Sequence, residues 1–490
     1  MNTINLLLNK VLKTGLPSCM ILLVSCLFIS CDDWFDVRPK SQVKESDLFS
    51  TEAGFRDATL GVYTLMASTD AYGGNMTMGL LDVIAQQYTD VVNPYTTAIS
   101  YSYTNATIES MIESMWRQTY KAIANCNYII KNCDENGSVM GAATRNIVKG
   151  EALATRAYLH FDMMRLYAPS YVNGSGQSAV PYVNEPTVNA QKSMTVSALC
   201  DQLISDLLAA RDLLKPYDPI LEAGYNETLV YDTEDYLEDD GFLLYRTSRM
   251  NYYAATALLA RISLYKGDRS NALAYAQEVI NSGKFDLIND VLIAGDTEET
   301  RYNGVNNQYS FMQSVAKHEY ISGLYVYNLK ENINDQYFRD SQGAQLRINE
   351  TRKMTVFGAD GIDYDVRAKR MFAVPSGSNN EYCIKYLTGT QIPLLKIGEM
   401  YLIAAEASGD INYLYTLLQK RGYPNPVAEG TNLSQLLQKE YQREFIGEGQ
   451  LFYFYKRQNL NKIPFASVDA SEAVYVLPMP IDEIEFGYTE

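Results

Sequence analysis

Apolar residues recur at helical spacing along most of this chain. Phe55, Ala58, Val62 and Leu65 follow Ser50-Thr-Glu-Ala-Gly, a sequence suited to starting a helix, and predict the first one. Met111, Met115, Tyr120, Ile123, Ala124 and Tyr128 mark a second. A third runs from Ile147 to Tyr167. There Ala154, Ala157, Tyr158 and Phe161 stand at i, i+3, i+4 and i+7, Met163 and Leu166 continue the apolar cover, and Ala168-Pro169 ends it. Asn136-Gly137-Ser138 is short enough to make these two helices antiparallel neighbours. Thr195 is placed to cap a fourth helix that reaches about Leu214.

The sharpest unit is 251–283. Ala255, Leu258, Leu259 and Ile262 form one stripe, and Ala272, Tyr275, Ala276 and Val279 form another. Between them, Lys266-Gly267-Asp268 supplies a helix-ending glycine and a new N-cap. A hairpin of about 34 residues with small residues at its crossing resembles a tetratricopeptide repeat. The helical pattern returns from Ile392-Pro-Leu-Leu-Lys to Ala407 and from Leu433 to Arg457, before an extended, proline-limited strip from Val476 to Ile484.

Elsewhere the periodicity lapses. Residues 68–107 are rich in Gly, Asn and Tyr around the apolar run Leu80 to Ile84, and read as an exposed surface carrying Tyr72, Tyr88, Tyr95, Tyr101 and Tyr103. Residues 217–245 are dense in acid and read as a solvated insertion. Residues 284–390 mix short β-like runs with turns and hold Tyr302, Tyr309, Phe311, Tyr320, Tyr325, Tyr327, Tyr337 and Phe338.

One apolar stretch is of another kind. Met20-Ile-Leu-Leu-Val-Ser-Cys-Leu-Phe-Ile-Ser-Cys31 follows Lys10 and Lys13, with no acidic residue before Asp32. A basic start, a short apolar core and a small residue before a break are the parts of an export signal. Met20 to Ile29 is shorter than the roughly 20 apolar residues a membrane span needs. The break is a cysteine, so the stretch resembles a bacterial lipoprotein signal over 1–30, with Cys31 the expected acylated N-terminus and Cys26 the alternative. Asp32 and Asp33 resemble a surface-export signal, and 37–43 reads as a tether held extended by Pro39.

Composition narrows the partners. The formal charge of −17 opposes binding to phosphate backbones, so no nucleic acid is expected, and it gives no electrostatic reason to adhere to an anionic membrane. Cys126, Cys133, Cys200 and Cys383 are scattered; the first two share a helix face about 10 Å apart, too far to bridge, and buried thiols are expected. Tyrosine is the outlier, with 39 residues against 16 Phe and 2 Trp. Its apolar ring and polar hydroxyl suit surfaces that are packed yet wet, as sugar-binding faces are, and equally suit a helical core.

Six motifs in order resemble the SusD/RagB family of Bacteroidetes outer-membrane lipoproteins. They are Cys31-Asp-Asp-Trp-Phe-Asp-Val-Arg-Pro; the helix Glu151 to Tyr167 with its internal Arg156-Ala-Tyr; Tyr364-Asp-Val-Arg367; Lys385-Tyr386; Ile392 to Ala407 with paired glutamates; and Arg443-Glu-Phe-Ile-Gly-Glu-Gly449. Lys396 stands where the family usually has Arg, and Leu451 and Phe454 replace a usual Arg and Asp. The resemblance implies a mainly α, SusD-like fold over 31–490. Tetratricopeptide-type hairpins would form the scaffold, and a loop-rich, partly β side would bind ligand. Its N-terminal part would be about 31–215, with the hairpin at 251–283 and a C-terminal part about 284–490. It further implies a lipid-anchored cell-surface protein that captures glycan, or peptide in RagB-type members, and delivers it to a SusC-like TonB-dependent transporter.

Chemistry of its own is thinly signalled. His160 and His318 are the only histidines, too few for a His-based triad or a His-rich metal site, and no cofactor, metal site or catalytic residue is expected. Asp360, Asp363 and Asp365 lack a full calcium-loop spacing. Glu399 with Glu406, and Glu444 with Glu448, keep a glycoside-hydrolase reading open, but their basic neighbours Lys396 and Arg443 favour structural ion pairs. A protein-binding scaffold is a further alternative. The expected ligand contacts are Tyr72, Asn75, Tyr101, Tyr103, Tyr309, Tyr320 and Tyr325.

Overall fold

The computed structural model describes residues 43–223, 225, 241–288, 311–338, 346–374, 380–424 and 430–488. The leader, Cys26, Cys31, the tether through residue 42, Tyr302 and Tyr309 lie outside these. Two compact units divide the chain at Leu48; the described part of the first contains one short helix, Glu45–Leu48.

The second unit is built on helices α1 (Glu52–Met66), α2 (Ala106–Glu135), α3 (Ala142–Tyr167), α4 (Val196–Leu214), α5 (Tyr252–Lys266) and α6 (Arg269–Ile280). They are followed by α7 (Phe311–Glu319), α8 (Glu350–Tyr364), α9 (Ile397–Ser408), α10 (Ile411–Lys420), α11 (Leu433–Glu444) and α12 (Gln450–Arg457). Each of α1 to α5 packs on the next, α6 packs on α9, and α9 on α10, giving an array of four helix pairs. Local sequence sets the ends. Thr51, Asn105, Thr195, Asn251 and Asp268 each accept a hydrogen bond from a first-turn N–H, and Gly267 closes α5 in the left-handed region at φ 84°. Each such cap contributes about 1 kcal/mol.

Helix α3 is the axis of the unit. From Gly150 to its end it is buried on every side, polar residues included. Its buried charges are therefore paired: Arg156 reaches Asp206 at 2.9 Å, and Arg165 pairs with Asp162. His160 is a packed histidine. Its Nδ1 lies 3.0 Å from the Arg156 carbonyl oxygen and its Nε2 accepts from the Val183 N–H at 3.1 Å, which fixes the proton on Nδ1. Burial, with the Arg156 charge, pushes its pKa down to about 3. The unfolded chain takes up this proton near pH 6.5, so the contribution to stability is present above 6.5 and lost as pH falls toward 3. His160→Gln should flatten that part of a Tm-against-pH profile between pH 7 and 4; an unchanged slope would refute it.

Among the described residues, three antiparallel strand pairs join these helices. β1 (Ser178–Pro181) pairs with β2 (Ser193–Thr195), β3 (Tyr320–Tyr325) with β6 (Gln391–Lys396), and β4 (Phe372–Ala373) with β5 (Tyr382–Cys383). Residues 392–396, expected as helix, are thus strand. Pro393 stands opposite Gly323, and the helix begins only at Ile397. The segment 433–457 is two helices, because Gly447 and Gly449 take left-handed φ of 75° and 72°. A Cβ on Gly449 would lie 2.4 Å from the Met76 carbonyl oxygen. Helix α8 was hidden in 284–390 because Gly358 interrupts it at φ 78°.

The largest correction concerns 68–107. Residues 71–88 are buried throughout. Their glycines serve close backbone approach, not exposure: a Cβ on Gly73 would fall 2.0 Å from the Ala67 carbonyl oxygen. The insertion 217–245 is also anchored where it is described. Asp218 is buried against Arg246, and the Tyr225 hydroxyl accepts from the Arg246 N–H at 2.9 Å. Its acidic centre, 226–240, lies outside the described residues.

Candidate functional site

A cleft of ~1070 Å³ opens between α1, the 241–249 segment and the end of β3. Four further recesses measure 20–190 Å³, each less than a fifth of this cleft. Helix periodicity builds the first wall. The face Gly54, Phe55, Thr59, Val62, Tyr63 and Met66 is buried, which leaves Ala53, Arg56, Asp57, Leu60 and Thr64 toward the cleft. Strand alternation builds the second. Val326 is buried while Tyr325 and Tyr327, two apart, are 56% and 71% exposed on one side. The Val326 N–H donates to the Thr390 carbonyl at 3.0 Å, and Asn332 Nδ2 to the Tyr327 carbonyl at 2.7 Å.

The third wall is held from behind. Arg246 is fully buried between Asp218 (2.9 Å) and Glu151 (3.1 Å). Arg249 donates to both Glu151 oxygens at 2.7 and 2.6 Å, and its guanidinium lies 3.9 Å from the Phe242 ring centroid. Tyr245, between these anchors, is 39% exposed at a left-handed φ of 53°. A non-glycine residue held there costs of order 1 kcal/mol, supplied here by the flanking ion pairs. Gln391 Nε2 ties β6 to the wall by donating to Ser248 Oγ at 2.7 Å. The cleft therefore offers three exposed phenols on fixed backbone, beside Leu60 and the polar groups of Asp57, Thr64, Ser68 and Asn332.

Of the expected contacts, Tyr325 lines this cleft. Tyr72 is 1% exposed, with its hydroxyl donating to Asp162 at 2.9 Å and its ring 5.5 Å from that of Tyr158. Asn75 is buried in the glycine-rich turn, Tyr103 donates to the Val474 carbonyl at 2.8 Å, and Tyr320 is buried opposite Lys396 in the β3–β6 pair. These four have no ring or amide face open to a ligand, because the segments that carry them are core. Tyr101 is half-buried, accepts from Gln86 Nε2 at 3.0 Å and does not line the cleft. Tyr309 lies outside the described residues. Tyr245 and Tyr327 also line the cleft and were not among the expected contacts. The Tyr325-x-Tyr327 alternation was a usable signal; Tyr245 was hidden inside an acidic stretch read as solvated.

A family model described as "Starch-binding associating with outer membrane", of the SusD-like group, matches residues 33–219. Among solved structures, a SusD superfamily protein from Bacteroides thetaiotaomicron superposes with a TM-score of 0.66 at 16% identity, covering 90% of this chain and 97% of that one. The chain shares the SusD fold, and its residues 33–219 carry the SusD-like family match. A SusD-like carbohydrate binding protein from Bacteroides vulgatus aligns with a TM-score of 0.65 at 18% identity over 89% of this chain and 97% of its own. SusD-like protein P25 of Formosa agariphila is 21% identical over 280 residues, 55% of this chain; the chain spans 46%, about half, of that relative's length.

Four of the motifs that mark the SusD/RagB resemblance, those at 364–367, 385–386, 392–407 and 443–449, meet in space in a buried ion network away from the cleft. Glu444 contacts Arg421 (2.7 Å), Arg367 (2.5 Å) and Lys396 (3.2 Å). Glu448 pairs with Lys396 (2.7 Å) and Lys385, and the Tyr386 hydroxyl donates to the Gly447 carbonyl at 2.8 Å. Asp82 accepts from the N–H groups of Gly447 and Gly449 at 2.6 and 2.9 Å. Burial nonetheless pushes its carboxyl up to about 8. Glu399 is bidentate with Arg261, and Glu406 pairs with Arg457. The four glutamates that kept hydrolysis open are thus engaged in ion pairs; Lys396 pairs with Glu444 and Glu448 instead of Glu399, and Arg443 pairs with Glu440. Asp365 is likewise committed to Arg367 at 2.7 Å and caps a short helix. Leu451 and Phe454 are buried, and Phe454 stacks on Tyr441 at 4.0 Å.

Proposed function

We propose that this protein binds glycans at the cleft, at the cell surface, and passes them to a SusC-like TonB-dependent transporter. The observation that carries the reading is the trio Tyr245, Tyr325 and Tyr327, exposed together on braced backbone around a cleft large enough for several sugar rings. Flat phenol faces stack on the C–H faces of pyranoses while their hydroxyls, with Asn332 and Asp57, meet sugar hydroxyls. The family model's description, starch-binding and associating with the outer membrane, supports both ligand and location. No helix among the described residues is long and apolar enough to cross a membrane. Acylation of Cys31 would supply the attachment, and mass spectrometry of the mature N-terminal peptide distinguishes it from Cys26. A tether beside the transporter raises local concentration, so modest affinity suffices.

The test is calorimetric titration of the best glycan from an array screen. Tyr325→Ala with Tyr327→Ala should weaken binding at least roughly 30-fold, about 2 kcal/mol, with Tm within about 2 °C of wild type. Tyr72→Ala should instead cost about 3–5 kcal/mol of stability by opening a cavity. Unchanged affinity in the double variant would remove the cleft as the glycan site. Cleavage of the bound glycan would favour a hydrolase, and binding confined to peptides a RagB-type role.

A further inference from the structure

We infer that the glycan is uncharged: the cleft selects neutral polysaccharide over uronate-containing or sulfated chains. This rests on the glycan-binding reading above. The inference follows from the charges that line the cleft among the described residues, which are Arg56, Asp57 and Arg249. Both arginines are already neutralised. Arg56 pairs with Glu52 one turn before it on α1, and Arg249 holds both oxygens of buried Glu151. Each guanidinium also has an aromatic neighbour, Phe242, at 5.5 and 3.9 Å. An incoming carboxylate or sulfate would have to compete with an existing carboxylate for these donors, and at Arg249 with one that is buried. Asp57 makes no ion pair among the described residues and stands exposed on the α1 face, so the charge left for a ligand to meet is negative.

The wider field has the same sign. The chain carries a formal −17, and residues 226–240, which lead directly into Gly241 of the cleft wall, contain seven acidic and no basic residues. A polyanion would be repelled on approach and find no uncompensated cation among the described lining residues. Neutral sugars lose nothing by either condition, because stacking on Tyr245, Tyr325 and Tyr327 and hydrogen bonding to hydroxyls are indifferent to net charge.

Calorimetry on the full mature chain tests this with two sets of hexasaccharides, at 20 and 500 mM NaCl. The neutral set is malto-, cello-, manno-, xylo- and galacto-oligosaccharides; the anionic set is oligogalacturonate, alginate and carrageenan oligosaccharides. Binding to one or more neutral members, with affinity changing less than 2-fold between the two salts and no anionic member within 10-fold, is the expected result. Asp57→Lys should then give a salt-sensitive gain of at least 5-fold for an anionic member, with Tm retained. Wild-type binding to an anionic oligosaccharide that weakens with salt would overturn the charge inference and leave glycan binding standing. Binding to neither set would overturn both.

Discussion

Glu444→Ala is expected to cost about 3–5 kcal/mol of folding stability, read as a lower urea midpoint at unchanged slope. The residue is 2% exposed and touches three cations, Arg421, Arg367 and Lys396, themselves buried. Removing one anion does not strip them bare. Arg421 keeps Glu319 at 2.5 Å, Arg367 keeps Asp365 and Glu440, and Lys396 keeps Glu448. The penalty therefore belongs to the range for breaking a buried pair rather than exceeding it. Glu444→Gln, which keeps the volume and removes the charge, separates packing from electrostatics and should retain most of the loss. A cost under about 1 kcal/mol in both variants would mean that the network does not hold these elements together.

The same group adds to the pH dependence that His160 contributes. Burial works to raise the Glu444 pKa, but Arg421, Lys396 and Arg367 outweigh it and hold the carboxyl well below the usual 4.5. A carboxyl depressed in the folded state stabilises above its unfolded pKa and loses that contribution as pH falls through the folded one. Glu151 and Glu406 are shifted in the same direction by their arginines. Acid unfolding should accordingly begin below pH 4.5, and Glu444→Gln should blunt it.

Much of the scaffold was legible in the sequence because local rules and tertiary demands agree there. In α5 and α6 the apolar stripes, the Gly267 stop and the Asp268 cap are all visible within 251–283, and the hairpin forms as read. The family motifs were legible as landmarks, but not as a network. Asp82 and Gly447 are 365 residues apart, and nothing in either segment announces that they meet. Polarity misled at 71–88. Gly, Asn and Tyr there suggested a wet loop, whereas the tyrosines bury rings and satisfy hydroxyls internally, as Tyr88 does on the Met78 carbonyl at 2.8 Å. The cleft was legible only at Tyr325, because its walls come from three segments whose juxtaposition depends on the Glu151 ion pairs.

Glu151→Gln should therefore damage fold and site together. One oxygen of Glu151 accepts from the Tyr63 hydroxyl (2.6 Å) and Arg249 Nε (2.7 Å), the other from Arg249 Nη2 (2.6 Å) and Arg246 Nη1 (3.1 Å). A single buried carboxylate thus joins α3 to α1 and to the 241–249 wall. Gln retains one acceptor oxygen and turns an amide donor toward guanidinium donors, leaving Arg249 without a counter-charge; the expected loss is about 3–5 kcal/mol. Arg249 also donates to the Phe242 carbonyl and lies under its ring, so the wall that carries Tyr245 should lose its register. Glycan affinity measured well below the lowered Tm should fall by roughly 10-fold, about 1.4 kcal/mol. The pattern differs from that of Tyr325→Ala with Tyr327→Ala, which should lower affinity alone. If Glu151→Gln loses stability but binds as the wild type does, the Asp218–Arg246 pair suffices to hold the wall and Glu151 serves only the fold.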